Sequence, residues 1–456
     1  MKVTYYSPMP PERTGIAHYS AMLLPELGKR VEISLAASPE HQALSTEHSI
    51  YHLGNNPHHA WIYRAALETP GVIVLHDVVL HHLIVEMTLA LGDADAYAAA
   101  LRASHGDVGE AWARGRAAGL HSEMGNFLLP ASIEVANRSR AVIVHNRWAA
   151  GLLRSFGVST PIHVVPHPSR GPHPQPSPSH RVAGVFGFLT SAKRGEVILE
   201  AMKKTRDVEL LVVGEAAPNI DASMFRTTGY VSDEEFDAYF ARVDRVVNLR
   251  YPTAGETSGT LIRAFEAGKP VAVSDYAQFA EYPDECVVRV PFGDDEADAL
   301  AEFLMRDFDR ERIARAQHEW LEQNARLDQT ADGYVRALGG AARPGLGALG
   351  AVTRNIPLFP SLSVVARDRD QLTLANRGDF TLRARVYGEP GYRLIAKLFE
   401  NEREVTDRWI ELPRDVAPGE QATIAIPFRT GATLRLYHAV EGIPMLDPEP
   451  WYAASL

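Results

Sequence analysis

Residues Leu249–Val273 read LRYPTAGETSGTLIRAFEAGKPVAV. A short apolar strand ends at Leu249, a turn rich in glycine and hydroxyl groups follows, and a helix begins at about Ser258 or Gly259. The first N–H groups of a helix have no partner within it and carry the positive end of its dipole. Glycines beside such a helix start let a ligand approach closely, so Thr257, Ser258 and Gly259 form a candidate anion site. Glu256 stands just ahead of it. A carboxylate next to a bound anion is costly unless it bonds something else, such as hydroxyl groups. An ordinary capped helix, with Glu256 at the favourable end of its dipole, accounts for the same residues, and both readings stay open.

On either side of this stretch, strands alternate with helices. Val182–Phe186, Glu209–Val213, Arg245–Leu249, Val271–Ser274 and Cys286–Val290 read as strands, with helices near Gly195–Lys203, Asp233–Ala241 and Thr260–Ala267. That pattern predicts a parallel, doubly wound sheet. The N-terminal part repeats it with strands at Lys2–Tyr6, Val31–Ala36, Gly71–Leu75 and Ala141–His145 and a helix at Gly15–Leu27 that Pro25 threatens to end early. Between the two halves lies PHPSRGPHPQPSPSH, Pro166–His180, whose six prolines in fifteen residues suit a linker and no helix or central strand. Leu338–Gly350, LGGAARPGLGALG, reads as a second linker. Beyond it, alternating segments at Leu362–Ala366, Gln371–Ala375, Thr381–Tyr387, Tyr392–Phe399, Ala422–Ile426 and Thr433–His438 predict an antiparallel β-sandwich. The expected domains are 1–168, 181–338 and 359–456: two Rossmann-like α/β domains facing a cleft, then the sandwich.

The chain has 456 residues, 46% of them hydrophobic, a normal share for a soluble globular protein. Its net charge of −11 sits almost wholly in residues 181–340, where 19 basic residues face 29 acidic ones. No segment carries the broad positive field that nucleic-acid binding or a strong pull towards anionic lipid requires. There is no apolar run long enough to span a bilayer. The N-terminus begins directly as a strand with no signal-peptide core, so a cytoplasmic protein is expected, with membrane contact at most peripheral. A single cysteine, Cys286, excludes an internal disulfide and a cysteine-built zinc site.

Residues 1–335 resemble the retaining glycosyltransferases of family 4, with the GT-B fold. Glu256-Thr257-Ser258-Gly259 followed by Gly268-Lys269-Pro270-Val271 matches that family's Glu-x-x-Gly turn, helix and Gly-x-Pro-Val. Gly187-Phe188-Leu189-Thr190-Ser191-Ala192-Lys193 keeps the glycine and lysine of its Gly-Arg-x-x-x-x-Lys. The strand ending at Gly214 and the Thr228–Ser232 turn before an acidic helix also follow its order. Two positions depart. Phe188 stands where the family has a diphosphate-binding arginine, which leaves Arg194 or Arg250 to supply the charge. Ala264 stands where a second glutamate would contact the ribose, and alignment back from Gly268 gives Arg263, with Glu266 one turn further on.

The resemblance implies a nucleotide-diphosphate sugar, UDP- or GDP-linked, as donor and a glycan or lipid-linked acceptor, as in polysaccharide biosynthesis. It implies transfer of a hexose with retention of configuration. Lys193, an arginine and the helix N–H groups would stabilise the leaving diphosphate, so no metal and no cofactor are expected. It places the glycine loop Pro10–Ile16, with Gly15, beside the phosphates, and His76 beside the transferred sugar. His76-Asp77 follows the strand GVIVL, and strand ends of this kind face the crevice in open α/β sheets. His58-His59 and His81-His82 match no standard zinc spacing. His18, near the glycine loop, is a further candidate for the acceptor side. A non-catalytic sugar-nucleotide or glycan-binding relative, a GT-B epimerase or a phosphorylase are the alternatives. Trp409, Tyr387, Tyr392, Tyr437 and Trp451 are candidate sugar platforms of the sandwich, or its packing.

Overall fold

The computed structural model describes residues 1–12, 14–39, 47–117, 119, 125–291, 293, 295–340, 362–377, 382, 384, 392–440 and 450–456. Most of the expected strand at Thr381–Tyr387, Arg13 and most of the Leu338–Gly350 linker lie outside them. The chain divides into two compact units: Met1–Val78, Val135–Arg154 and Ser159–Gly347 in one, and Val79–Glu134, Ser155–Val158 and Ala348–Leu456 in the other.

The first unit holds two parallel six-stranded sheets. One consists of β1 (Lys2–Tyr6), β2 (Glu32–Ala36), β3 (His48–Leu53), β4 (Val72–Leu75), β5 (Ala141–Val144) and β6 (Ile162–Val164), in the order β2-β1-β3-β4-β5-β6. Its middle strands are buried on both faces, which is why VIVL and AVIV read as unbroken apolar runs. The second consists of β7 (Arg181–Phe186), β8 (Val208–Val213), β9 (Arg226–Thr227), β10 (Arg245–Asn248), β11 (Val271–Ser274) and β12 (Val288–Val290), in the order β12-β11-β10-β7-β8-β9. Separate apolar clusters cover its two faces, one around Phe186, Phe240 and Phe265 and one around Leu199, Leu300 and Phe303.

Each sheet reverses its strand order once, between β1 and β3 and between β7 and β10. Ligands of open α/β sheets bind at such switch points, outside the carboxyl ends of the strands. The turns after β7 and β10 are the two that carry Lys193 and Glu256. The Gly15–Leu27 helix runs on through Pro25, with Thr14 as its cap. The proline-rich segment 166–180 runs between β6 and β7 without a helix and is tied down where His173 N–H donates to Glu266 O at 2.7 Å. The last helix of this unit, Leu327–Gly339, returns to the first sheet. Its Tyr334 hydroxyl bonds the Tyr19 hydroxyl at 2.8 Å.

In the second unit, β13 (Leu362–Asp368), β14 (Gln371–Asn376) and β17 (Gln421–Ala425) form one antiparallel sheet. The other has β15 (Tyr392–Glu400), β16 (Arg403–Glu411), β18 (Thr433–Val440) and β19 (Tyr452–Ser455). Leu372, Leu374 and Ile424 of one sheet share a core with Leu394, Leu398 and Leu436 of the other, a β-sandwich. Tyr392 and Tyr437 are buried, Trp451 stacks on His438, and Trp409 lies in the open with Arg393 over its ring. Tyr387 is outside the described residues. Among the described residues no helix is long and apolar enough to cross a membrane.

Candidate active site

The turn after β10 is built around the Glu256 carboxylate. Oε1 accepts from Arg250 Nε at 2.7 Å, and Oε2 accepts from the Thr253 hydroxyl and the Ala254 N–H, each at 3.0 Å. Gln278 Nε2 braces the turn by donating to Thr253 Oγ1 and Glu256 O. Glu256 therefore does not cap the next helix. Ser258 does: its Oγ accepts from Leu261 N–H, while its hydroxyl donates to Asn248 Oδ1 at 2.9 Å. Gly259 opens that helix, Gly259–Glu266, with His167 Nε2 the nearest neighbour to its missing side chain at 3.9 Å. Thr257 Oγ1 accepts from Asn146 Nδ2, which also donates to Gly255 O and so joins the two sheets.

The turn after β7 lies against the same place. Tyr251 N–H donates to Ala192 O at 2.8 Å. Lys193 Nζ donates to Phe186 O at 2.9 Å, and a Cβ on Gly187 would come 2.9 Å from that nitrogen. Burial first, then the charge of Arg250, pushes the Lys193 ammonium down to about 7, with Glu256 pulling the other way. Lys193, Arg250 and Glu256 thus form one group. Arg194 is elsewhere engaged, in a two-point pair with the buried Glu296.

Arg263 and Glu266 do not join this group. Arg263 pairs with Asp233 and Asp237 and lies over the Phe236 ring. Glu266 is buried, and its Oε1 accepts from the Ser169 hydroxyl and Arg170 N–H, anchoring the segment that links the sheets. Beside Gly15 the space is open, with nothing within 4 Å of where a Cβ would stand. His18 Nδ1 lies against the Asp233 carboxylate.

His76 sits inside a chain of imidazoles. The Val165 carbonyl can only accept, so His145 Nδ1, 2.8 Å away, carries a proton. His145 Nε2 must then accept from His76 Nδ1 at 3.2 Å, and His76 Nε2 from His52 Nδ1 at 2.9 Å. Burial holds all three rings below their ordinary pKa, His145 at about 4, so they are neutral at pH 7. Both His76 nitrogens are spent within the first sheet. His81 likewise bonds Leu129 O and the Tyr97 hydroxyl, not a shared centre with His82.

The neighbour of His76 is a residue whose role the local sequence does not reveal. Asp77 Oδ2 accepts from Asn55 N–H at 2.7 Å. Burial first, and then the charge of Glu256, holds its carboxyl well above the usual carboxylate range.

Phe188 and Tyr230, 50% and 54% exposed, flank a slot of about 340 Å³ at the carboxyl ends of β7 and β8. Gly187, Val213, Gly214, Glu215, Val231 and Phe236 complete its walls. Gly214 has φ +141°, and a Cβ there would lie 2.6 Å from Gly187 O. Gly214→Ala should therefore lower stability by about 1–3 kcal/mol, the usual cost of overpacking. A melting curve matching the wild type would show that the two turns are not in this contact.

Residues 180–306 match the family model described as Glycosyl transferases group 1. Sucrose-phosphate synthase from Thermosynechococcus elongatus is 14% identical over 74% of this chain and 98% of its own, at a TM-score of 0.50. HepE from Anabaena, solved with UDP-glucose, is 14% identical over 74% and 99%, also at 0.50. TarM from S. aureus is 17% identical at a TM-score of 0.38, and the chain spans 45% of its length. The fold is GT-B. No curated protein matches the chain.

Proposed function

We propose that this chain transfers a hexose from a UDP- or GDP-sugar to a glycan or lipid-linked acceptor, with retention of configuration. The observation that carries this reading is the Lys193–Arg250–Glu256 group at the strand ends of the glycosyltransferase domain. Two cations and the N-terminus of the Gly259–Glu266 helix converge where a leaving diphosphate would gather charge. Fixed groups aimed at developing charge usually contribute more to catalysis than any other single effect. Arg250 takes over the charge that Phe188 cannot supply, and the protein's own cations serve in place of a metal. The slot between Phe188 and Tyr230 suits a planar base, which aromatic faces stack well. Gly15, Thr257, Ser258 and Gly259 border the phosphates. The sandwich, with Trp409 in the open, serves acceptor choice or assembly.

The test is product analysis with labelled nucleotide sugars and added glycan acceptors. HepE, which shares the fold, was solved with UDP-glucose, which makes that donor the first to try. A new glycoside whose anomeric centre keeps the donor's configuration is the expected product. An isomerised donor or no turnover would overturn the reading.

Lys193 adds a test by pH. Its folded pKa of about 7 lies below the 10.5 of an exposed lysine, so above pH 7 the free site holds it neutral. A bound diphosphate favours the ammonium again. Diphosphate binding between pH 7 and 9 should take up a proton and weaken as pH rises. Calorimetry in two buffers of different ionisation enthalpy measures this. Binding without proton uptake would remove Lys193 from the phosphate site.

A further inference from the structure

We propose that Asp77 is a sugar-recognising residue that, together with Glu256, accepts hydrogen bonds from the hydroxyls of a neutral hexose and turns away hexuronosyl donors. The inference rests on the glycosyltransfer reading above and narrows its substrate class.

Asp77 leaves the end of β4 in the first sheet, and Glu256 lies in the turn after β10 in the second. Their chain neighbours are in direct contact. Val78 N–H donates to Ala254 O at 2.7 Å, and a Cβ on Gly255 would lie 3.2 Å from Val78 Cβ. The two carboxyls thus face one place from opposite sheets. Their roles differ within the chain. Glu256 has both oxygens bonded by Arg250, Thr253 and Ala254. Asp77 has one oxygen fixed by Asn55 N–H, and among the described residues its other oxygen bonds nothing. Two neighbouring carboxylates repel, and burial magnifies the cost. A ligand that donates hydrogen bonds to both relieves it, and a sugar diol does so without adding charge. A third carboxylate, such as that of a hexuronate, makes it worse.

A buried and unpartnered ring nitrogen points to the same ligand. His59 Nδ1 lies 2.9 Å from His52 O, so it carries the proton and leaves Nε2 a bare acceptor. His59 is fully buried, and its Nε2 has no partner among the described residues. Gly54 brings it to Asp77: a Cβ there would lie 3.0 Å from His59 Nε2, 3.3 Å from Asp77 Oδ2 and closer still to Ile16 Cδ1. Any side chain at 54 would separate these groups. The wall is one of acceptors, suited to a donor of hydroxyl hydrogens, while Lys193 and Arg250 lie on the second-sheet side with the phosphates.

The experiment is calorimetric titration of the full chain with UDP, UDP-glucose and UDP-glucuronate, or the matching GDP series if GDP binds and UDP does not. Wild type should bind the neutral hexose at least about tenfold more tightly than the hexuronate, the scale of one hydrogen bond to a charged group. Asp77→Asn should narrow that gap to about threefold. Asp77→Ala should weaken UDP-glucose about tenfold and leave UDP within about twofold. A merely structural Asp77 would move UDP and UDP-glucose together, and equal affinity of the wild type for both sugars would also overturn the proposal. A chain that binds neither diphosphate overturns the glycosyltransfer reading and this inference with it. Because the folded state raises the Asp77 pKa, the charged carboxylate opposes folding at pH 8, so Asp77→Asn should melt at or above the wild-type temperature. An unfolded Asp77→Asn would show that the carboxylate is structural and sink the proposal.

Discussion

Replacing Lys193 with alanine should slow sugar transfer by about two to three orders of magnitude, the usual loss when one fixed group facing the developing charge is removed. The reason is the position of Nζ. It lies at the exit of β7, held by Phe186 O, beside Arg250 and Glu256 and below the glycine turn at Gly187. Arg250 cannot make up the loss, because its Nε is committed to Glu256. The fold should survive. A lysine whose pKa falls on folding is neutral in the native state and charged in the unfolded one between about pH 7 and 10.5. Over that window the unfolded chain binds the extra proton, so wild-type stability rises with pH, a slope that Lys193→Ala should lack. Single-turnover kinetics with saturating donor, alongside melting curves at pH 7 and 9, measure both effects. Transfer within about threefold of wild type would leave Lys193 with no part in the chemistry.

What the sequence made legible was the part whose signal is local. The strand, turn and helix at Arg245–Glu266 follow from an apolar run, glycines and a capping serine, and the structure differs from that reading by a residue or two at each end. Buried parallel strands such as VIVL declare themselves in the same way. The strand β3, HSIYHL, did not, because its two histidines read as polar. They are accommodated by tertiary contacts, the His52–His76 bond and the stacking of His52 on Tyr334, which no window of sequence contains. The charged strand β16, REVTDRWIE, was missed for a related reason: one face is solvated, and its register comes from pairing with β15. Asp77 was in view beside His76, but its importance comes from Glu256, 179 residues along the chain and on the other sheet. Glu266 illustrates the converse. Its place on the helix suggested a ligand contact, and only the fold reveals that Ser169 and Arg170 occupy its carboxylate.

Glu256→Gln should lower turnover by about a hundredfold while changing stability by no more than about 1 kcal/mol. Ser258 caps the following helix, so the substitution leaves the helix start intact. The amide can still accept at one atom from Thr253 and Ala254, and the turn keeps its brace from Gln278. Loss of the negative charge has opposite effects on its two neighbours. Asp77 loses a repelling charge, which eases folding. Lys193 loses the one charge that draws its pKa upward, so more of it is neutral at pH 7 and less can face the diphosphate. Arg250 loses its carboxylate partner and becomes free to bind phosphate in an unproductive pose. Donor affinity should therefore change less than turnover, a pattern opposite to that of a simple binding residue. A variant that loses its fold would return Glu256 to a structural role. One that keeps full turnover would take it out of the site. Glu256→Asp separates charge from reach: it preserves the charge felt by Lys193 but withdraws the carboxylate by one methylene from Arg250 and from the sugar. If charge on Lys193 is the main effect, Glu256→Asp should keep both turnover and the wild-type proton uptake on diphosphate binding. If reach matters, the two variants should lose turnover alike, although only Glu256→Gln changes proton uptake.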